Sequence, residues 1–263
     1  RENRSTWLLY ALLLAILVFA SFGSLLAHPF STDDFAYLND AVALRQDLSR
    51  LLSDEQALPG RPIVSIAFLL THMAAGASPA PYHLLLIGLH WAASLLLAFC
   101  FRRLGANLEL SMLGGLLFSL NVAHFRAVQW ISCLAYPLVL LFGLAAVLLF
   151  KQYLDSERRR WLLAACALIA LAILTHASAL TAALFCVYLA WRRELPWRAI
   201  ALAAGPLCAV ATLGAGLMYL LYPHAPQTQE LLIAPAPMLL LGNLCEALGR
   251  CFTTAHWLVS YET

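Results

Sequence analysis

Charge is what this sequence has least of: Asp, Glu, Lys and Arg together make up 11% of its 263 residues, against about 25% in an ordinary soluble domain. That scarcity excludes a water-soluble globular protein. With 62% hydrophobic residues and a mean hydropathy of +0.80, the expected fold class is all-α, a polytopic integral membrane protein with about seven transmembrane helices plus interfacial helices. HExxH, CxxC and P-loop signatures are also missing, so metalloprotease, zinc and Walker-type nucleotide chemistry have no support. A net charge of +2, unevenly distributed, offers no surface for nucleic acid. The seven cysteines are an odd number, and Cys100, Cys133, Cys166, Cys186 and Cys208 sit inside apolar runs as small helix residues instead of a disulfide framework. Cys245 and Cys251 are six apart, which is poor pairing geometry on a helix. The chain starts at Arg1 without a methionine and stops at Thr263 in a polar phrase, so a longer protein is expected.

What the chain does have is apolar runs. Trp7 to Ala27 is uncharged, lies behind Arg1 and Arg4, lacks a clear small-x-small cleavage site and reads as a retained anchor. Tyr82 to Phe101, Leu110 to Val122, Val128 to Phe150, Trp161 to Thr175, Ala179 to Trp191 and Ala199 to Tyr222 follow, making seven candidate spans. Basic residues gather at alternate ends of these runs: Arg1, Arg4, Arg102, Arg103, Lys151, Arg158 to Arg160, Arg192, Arg193 and Arg198. These eleven are expected to be cytoplasmic, leaving five basic residues beside nine acids outside. As one helix, Trp161 to Trp191 would reach about 46 Å, too long for a ~30 Å hydrocarbon core. Basic flanks at both ends require an even number of crossings, so two short helices meeting at Thr175-His176-Ala177-Ser178 are expected, with the junction enclosed by protein or a cavity. Phe35 to Leu52, with Phe35, Leu38, Val42, Leu48 and Leu52 at near-helical spacing, reads as a helix lying in the interface. Met238 to Phe252 reads the same way, and Pro62 to Ala75 as a short segment that dips in and returns.

Ionisable groups collect on the outer side of this layout, including all eight histidines, and intramembrane or interfacial clusters of this kind mark candidate working sites. Asp33 and Asp34 follow the first span directly. A carboxylate there suits proton abstraction from a hydroxyl or binding of a divalent cation, while Ser31-x-x-Asp34 equally matches a capping box opening a helix. His83 and His90 share a helix face but stand ~10.5 Å apart along it, too far to share one metal ion directly. His124 and Arg126 suit a phosphate, Arg by bidentate contact, and suit interfacial anchoring as well; Arg61 beside Pro62 is similar.

Several phrases occur together in one order: Asp33-Asp34 then Asn39; Arg61-Pro62; Pro81-Tyr82-His83 running to Leu89-His90 and Arg102-Arg103-Leu104; and Asn121-Val122-Ala123-His124 before Ala127-Val128-Gln129-Trp130-Ile131-Ser132. In these the chain resembles the GT-C membrane glycosyltransferases. The branch it looks closest to holds the protein O-mannosyltransferases and the tetratricopeptide-bearing mannosyltransferases. The resemblance implies one GT-C-like transmembrane module over 1–263, with an interfacial first loop at about 28–80 and a second outer segment at about 223–263. It implies transfer of a sugar from a polyprenyl-phosphate carrier on the outer face, with inversion, and Asp34 or Asp33 as catalytic base. Arg61, His83, His124, Arg126 and His176 are the expected donor-phosphate residues, with a divalent metal ion as the one cofactor. Expected partners are the lipid-linked donor, membrane lipid and a larger membrane protein complex; the expected location is a bacterial inner membrane, N-terminus cytoplasmic. Two departures stand out: His124-Phe125-Arg126-Ala127-Val128 lacks the family's acid, and Thr175-His176-Ala177 stands where relatives carry Ser-Lys-Glu. They favour the rival expectation, a catalytically silent subunit of the same fold packed in a larger complex. A transporter of the lipid carrier is disfavoured, because no paired repeat of broken helices is evident. From sequence, Asp34→Asn is expected to preserve folding, since Asn also caps helices, with Asp40→Asn as the neutral control.

Overall fold

The computed structural model describes residues 4–53, 56, 59–121 and 124–222, and every regular element among them is helical. In chain order these are α1 (Arg4–Phe22), α2 (Asp33–Gln46), α3 (Pro62–Ala75), α4 (Pro79–Arg103), α5 (Leu108–Ser119), α6 (Phe125–Gln129), α7 (Ala135–Ser156), α8 (Arg159–Ile173), α9 (Leu180–Trp191) and α10 (Trp197–Leu221). Short 3-10 turns at Gly23–Ala27, Leu48–Leu52, Ile131–Leu134 and Ala177–Ala179 join several of them.

Four segments among the described residues are long and apolar enough to cross a membrane: Arg4–Ala27, Pro79–Arg103, Ile131–Ser156 and Trp197–Leu221. On that ground the chain is a membrane protein. The other three expected spans are helices of 12, 15 and 12 residues, α5, α8 and α9, or about 18 to 23 Å at ~1.5 Å per residue. An apolar run overstates a helix when its last residues belong to the turn, as at Leu120 and Asn121 after α5.

The expected break between the fifth and sixth runs is there: α8 stops at Ile173, Thr175 is fully buried, and α9 restarts after the 3-10 turn at Ala177–Ala179. Two expectations need correction. Pro62–Ala75 does not return on itself but forms one helix, started by a proline at its first turn and ended at Gly76, whose φ of 62° suits a residue without Cβ. On α2, the apolar residues read as one interfacial stripe divide: Leu38 is buried while Phe35 and Val42 are exposed, and Asp40 is buried as well. The reason is tertiary: α3 packs along that face, with Tyr37 stacked on Phe68 at 4.5 Å. The expected helix at Met238 to Phe252, with His224, Cys245 and Cys251, lies outside the described residues.

Helices α7 to α10 share one core, rich in small residues: Ala146, Ala165, Ala172, Ala183, Ala190, Ala204 and Ala211 are buried in it. Without water to expel, membrane helices associate through close packing, which small side chains allow. The tightest approach is at Gly115 of α5. A Cβ there would meet Tyr10 Oη at 2.5 Å and both Ala98 Cβ and the Ser94 carbonyl at 2.8 Å.

Basic side chains collect at one end of the bundle. Asp155 near the end of α7 takes Lys151 at 2.6 Å and Arg193 after α9, and Arg103 at the end of α4 donates to Gln152 at 2.7 Å. The opposite ends of α4 and α7, with α2, α3, α6 and the α8–α9 break, frame the polar region described next.

Candidate functional site

Asp34 sits in the first turn of α2 and is 1% exposed. Its Oδ2 accepts the Ser31 backbone N–H at 2.9 Å, which is one half of the capping box read from the sequence. Its Oδ1 accepts the backbone N–H of Ser132 at 2.7 Å, across 98 residues. Both oxygens therefore hold main-chain donors, and the first loop is tied to the turn that opens α7. Asp33, one residue earlier, is exposed. The residue before it, Thr32, has φ 31° and ψ −103°, a conformation rare for a side chain with a Cβ.

Around the Ser132 turn the charges converge. Arg61, Asp34, Arg126 and Asp33 all act electrostatically on the Cys133 thiol. Arg61 stands at the N-terminus of α3 and donates to Tyr37 Oη at 3.4 Å. Burial pushes the Tyr37 phenol above its ordinary range, and the neighbouring guanidinium opposes that shift. The N–H of Ile63 reaches the Leu174 carbonyl at 3.3 Å, which brings the start of α3 to the α8–α9 break. There Arg61 acts on His176. The His176 Nδ1 accepts the Ser178 N–H at 3.1 Å, so its proton is on Nε2, and its ring lies 5.4 Å from that of Tyr136. Arg126 projects from α6 with its guanidinium 5.3 Å from the Trp130 ring centre.

His83, on the first turns of α4, is 1% exposed, and neither ring nitrogen has a hydrogen-bond partner of good geometry among the described residues. Its electrostatic neighbours are Asp34 and His28, with the His28 backbone close by. His124 is engaged elsewhere. Its Nδ1–H donates to the Phe118 carbonyl at 3.0 Å and its ring packs 4.2 Å from Phe118 and 5.7 Å from His90. Burial holds it below the usual imidazole range, against the pull of the Phe118 carbonyl.

Asp33, Asp34, Arg61 and Arg126 thus all lie within electrostatic range of Cys133, His176 within range of Arg61 and His83 within range of Asp34, while His124 packs with His90 and Phe118. Sequence reasoning missed Tyr37, Cys133 and Tyr136. Only their place beside Asp34 and Trp130-Ile131-Ser132 hints at them.

A metal ion fits this set poorly. No group of three or more His, Cys, Asp or Glu residues is placed to hold one among the described residues, and both Asp34 oxygens accept N–H donors. Beside His176, an apolar groove of about 370 Å³ runs between α7 and α9, lined by Val139, Gly143, Val147, Ser178, Ala182 and Phe185. Compared with protein-family models, with curated proteins and with solved structures, the chain matches none.

Proposed function

We propose that this chain is a membrane glycosyltransferase of GT-C type that takes its sugar from a polyprenyl-phosphate donor, at the face opposite the basic end. One observation carries the reading: an exposed carboxyl group, Asp33, and two guanidinium groups, Arg61 and Arg126, all lie within electrostatic range of the same residue, Cys133. Glycosyl transfer from a phosphate needs that combination, a base for the acceptor and cations for the leaving group. Asp33 takes the proton of the acceptor hydroxyl as its oxygen attacks the anomeric carbon. The bond from that carbon to the phosphate oxygen breaks, its electron pair stays on the phosphate, and Arg61 and Arg126 stabilise the charge left there. His176 faces the same phosphate beside Arg61, while the α7–α9 groove accommodates prenyl units. Asp34, with both oxygens committed, positions the loop. No step runs through a metal ion.

The basic end is cytoplasmic in this reading, so the site faces outward, across a bacterial inner membrane. The test is sugar transfer from polyprenyl-phosphate donors in membranes holding the full-length protein. Asp33→Asn, exposed and free to fold, should lower transfer by about 10²- to 10⁴-fold, the usual range for a positioned base. Equal transfer by wild type and variant at equal protein level overturns the assignment.

A second reading has its own observation. Asp34, the acid favoured from sequence, is buried and committed to structure, as a silent subunit packed in a larger complex would retain it. That reading predicts no transfer above background by the wild-type protein with any donor, and stoichiometric protein partners on purification.

A further inference from the structure

At the basic end, away from the site above, α1, α4 and α7 leave an apolar groove of about 790 Å³ between them. That volume lies in the ~300 to 1,000 Å³ range of small-molecule sites. Its walls are Trp7 on α1, Trp91, Ala92 and Phe99 on α4, and Leu141 on α7, and Arg4 stands at its edge. The walls are braced. Trp91 donates its Nε1–H to the Ala11 carbonyl at 3.0 Å, and Trp7 packs edge-on to Phe99 at 5.8 Å. Arg103 reaches over Phe99 with its guanidinium 5.8 Å from the ring centre, while one of its nitrogens donates to Gln152. One cation, Arg4, thus stands at the edge of a hydrocarbon slot bordered by two indoles, and a second, Arg103, lies over the Phe99 ring that forms part of its wall, in a chain whose long helices are apolar enough to cross a membrane.

The geometry points to a bound anionic phospholipid of the leaflet at the basic end, one acyl chain in the α1–α4–α7 groove and its phosphate between Arg4 and Arg103. Charge complementarity selects this occupant over an uncharged lipid. The apolar walls alone would accept any chain, but the paired guanidinium groups favour a headgroup with net negative charge, and each Arg near a membrane surface contributes about five-fold in affinity for anionic lipid. Trp7, three residues from Arg4, suits the same depth, since Trp partitions to the interface where headgroups meet chains, while Trp91, at the middle of α4, walls the slot deeper along an acyl chain. The inference requires only that the chain is a membrane protein; it does not depend on the glycosyltransferase reading.

The experiment is native mass spectrometry of the purified full chain equilibrated with equal amounts of phosphatidylglycerol and phosphatidylcholine of identical acyl composition. The wild type should retain one phosphatidylglycerol in several-fold excess over phosphatidylcholine. Arg4→Gln should reduce that preference about five-fold, and Arg4→Gln with Arg103→Gln should abolish it. Ala92→Phe, which fills the slot and leaves both cations, should lower retention of both lipids. Size-exclusion profiles identify variants that fold, and Arg4→Gln, at an exposed position, serves if the double variant does not. Equal retention of the two lipids by the wild type overturns the proposal, as does a preference that survives Arg4→Gln. A wild-type dimer that retains neither lipid would give the groove to a second copy of the chain, and also overturns it.

Discussion

Asp34 and Ser132 are joined by a 2.7 Å hydrogen bond from the Ser132 main-chain N–H to Asp34 Oδ1, so a side chain in the first loop fixes the turn at the head of α7. The other oxygen holds Ser31. A carboxyl group satisfies both donors, and neither Asn nor Ala does.

Asp34→Asn should therefore destabilise the protein, contrary to the expectation from helix capping alone. An amide has one acceptor oxygen, so one of the two N–H groups is left facing an NH2. A buried donor left unsatisfied costs about 1 to 3 kcal/mol. Thermal unfolding in detergent, followed by size-exclusion, should show a lower midpoint for Asp34→Asn and a lower one again for Asp34→Ala. An unchanged midpoint for both would remove the tether. Asp40, buried on the same helix, is no neutral control; for the unfolding midpoint alone, the exposed Asp33 serves instead.

Two glycines should respond to alanine in opposite directions. At Gly115 the added Cβ meets three atoms at 2.5 to 2.8 Å, one of them backbone, and overpacking of this kind typically costs about 1 to 3 kcal/mol. At Gly88, within α4, nothing lies within 4 Å of the new atom, and helix propensity favours Ala by up to about 1 kcal/mol. Gly115→Ala should lower the unfolding midpoint and Gly88→Ala should leave it or raise it. The same direction for both would contradict the packing of α1, α4 and α5.

His124 gives a pH dependence of known sign. Its folded-state pKa lies below the ordinary 6.5 because the ring is buried. The neutral ring therefore contributes stability that is fully present above about pH 6.5 and is lost as pH falls through the lowered folded value. Unfolding midpoints between pH 7.5 and 5 should fall less steeply for His124→Gln than for the wild type. Parallel curves would mean that the ring is as solvated in the folded state as in the unfolded one.

Orientation can be read with single cysteines in a background without the native ones. Asn39 and Glu157 are both exposed, at opposite ends of the bundle. A membrane-impermeant maleimide added outside intact cells should label Asn39→Cys and miss Glu157→Cys. The converse pattern would place the Asp33 turn on the cytoplasmic side.

The helical membrane character of the chain was legible in its composition, because apolar runs bounded by arginines have few other stable arrangements in water or lipid. The break at Thr175 to Ser178 was legible too, from length against bilayer thickness. The number of full-length spans was not. Hydropathy counts apolar residues, and it does not say where backbone hydrogen bonding ends, as after Ser119 and at Ile173. Nor was the division of labour within Asp33-Asp34 readable: adjacent acids are equivalent in sequence, and their difference arises from a backbone N–H contributed 98 residues away.

The sequence by itself determined that this chain is helical, enters a membrane, and carries its basic residues in groups at alternate helix ends. Those properties follow from the cost of exposing peptide groups and charge to hydrocarbon, which acts on each segment separately. Only the tertiary structure decided that Asp34 is a tether and Asp33 is exposed, that Leu38 packs inward, and that His124 joins His90 instead of His176. Each of those depends on which distant segment meets which face, and contacts between segments far apart in the chain leave no local pattern to read.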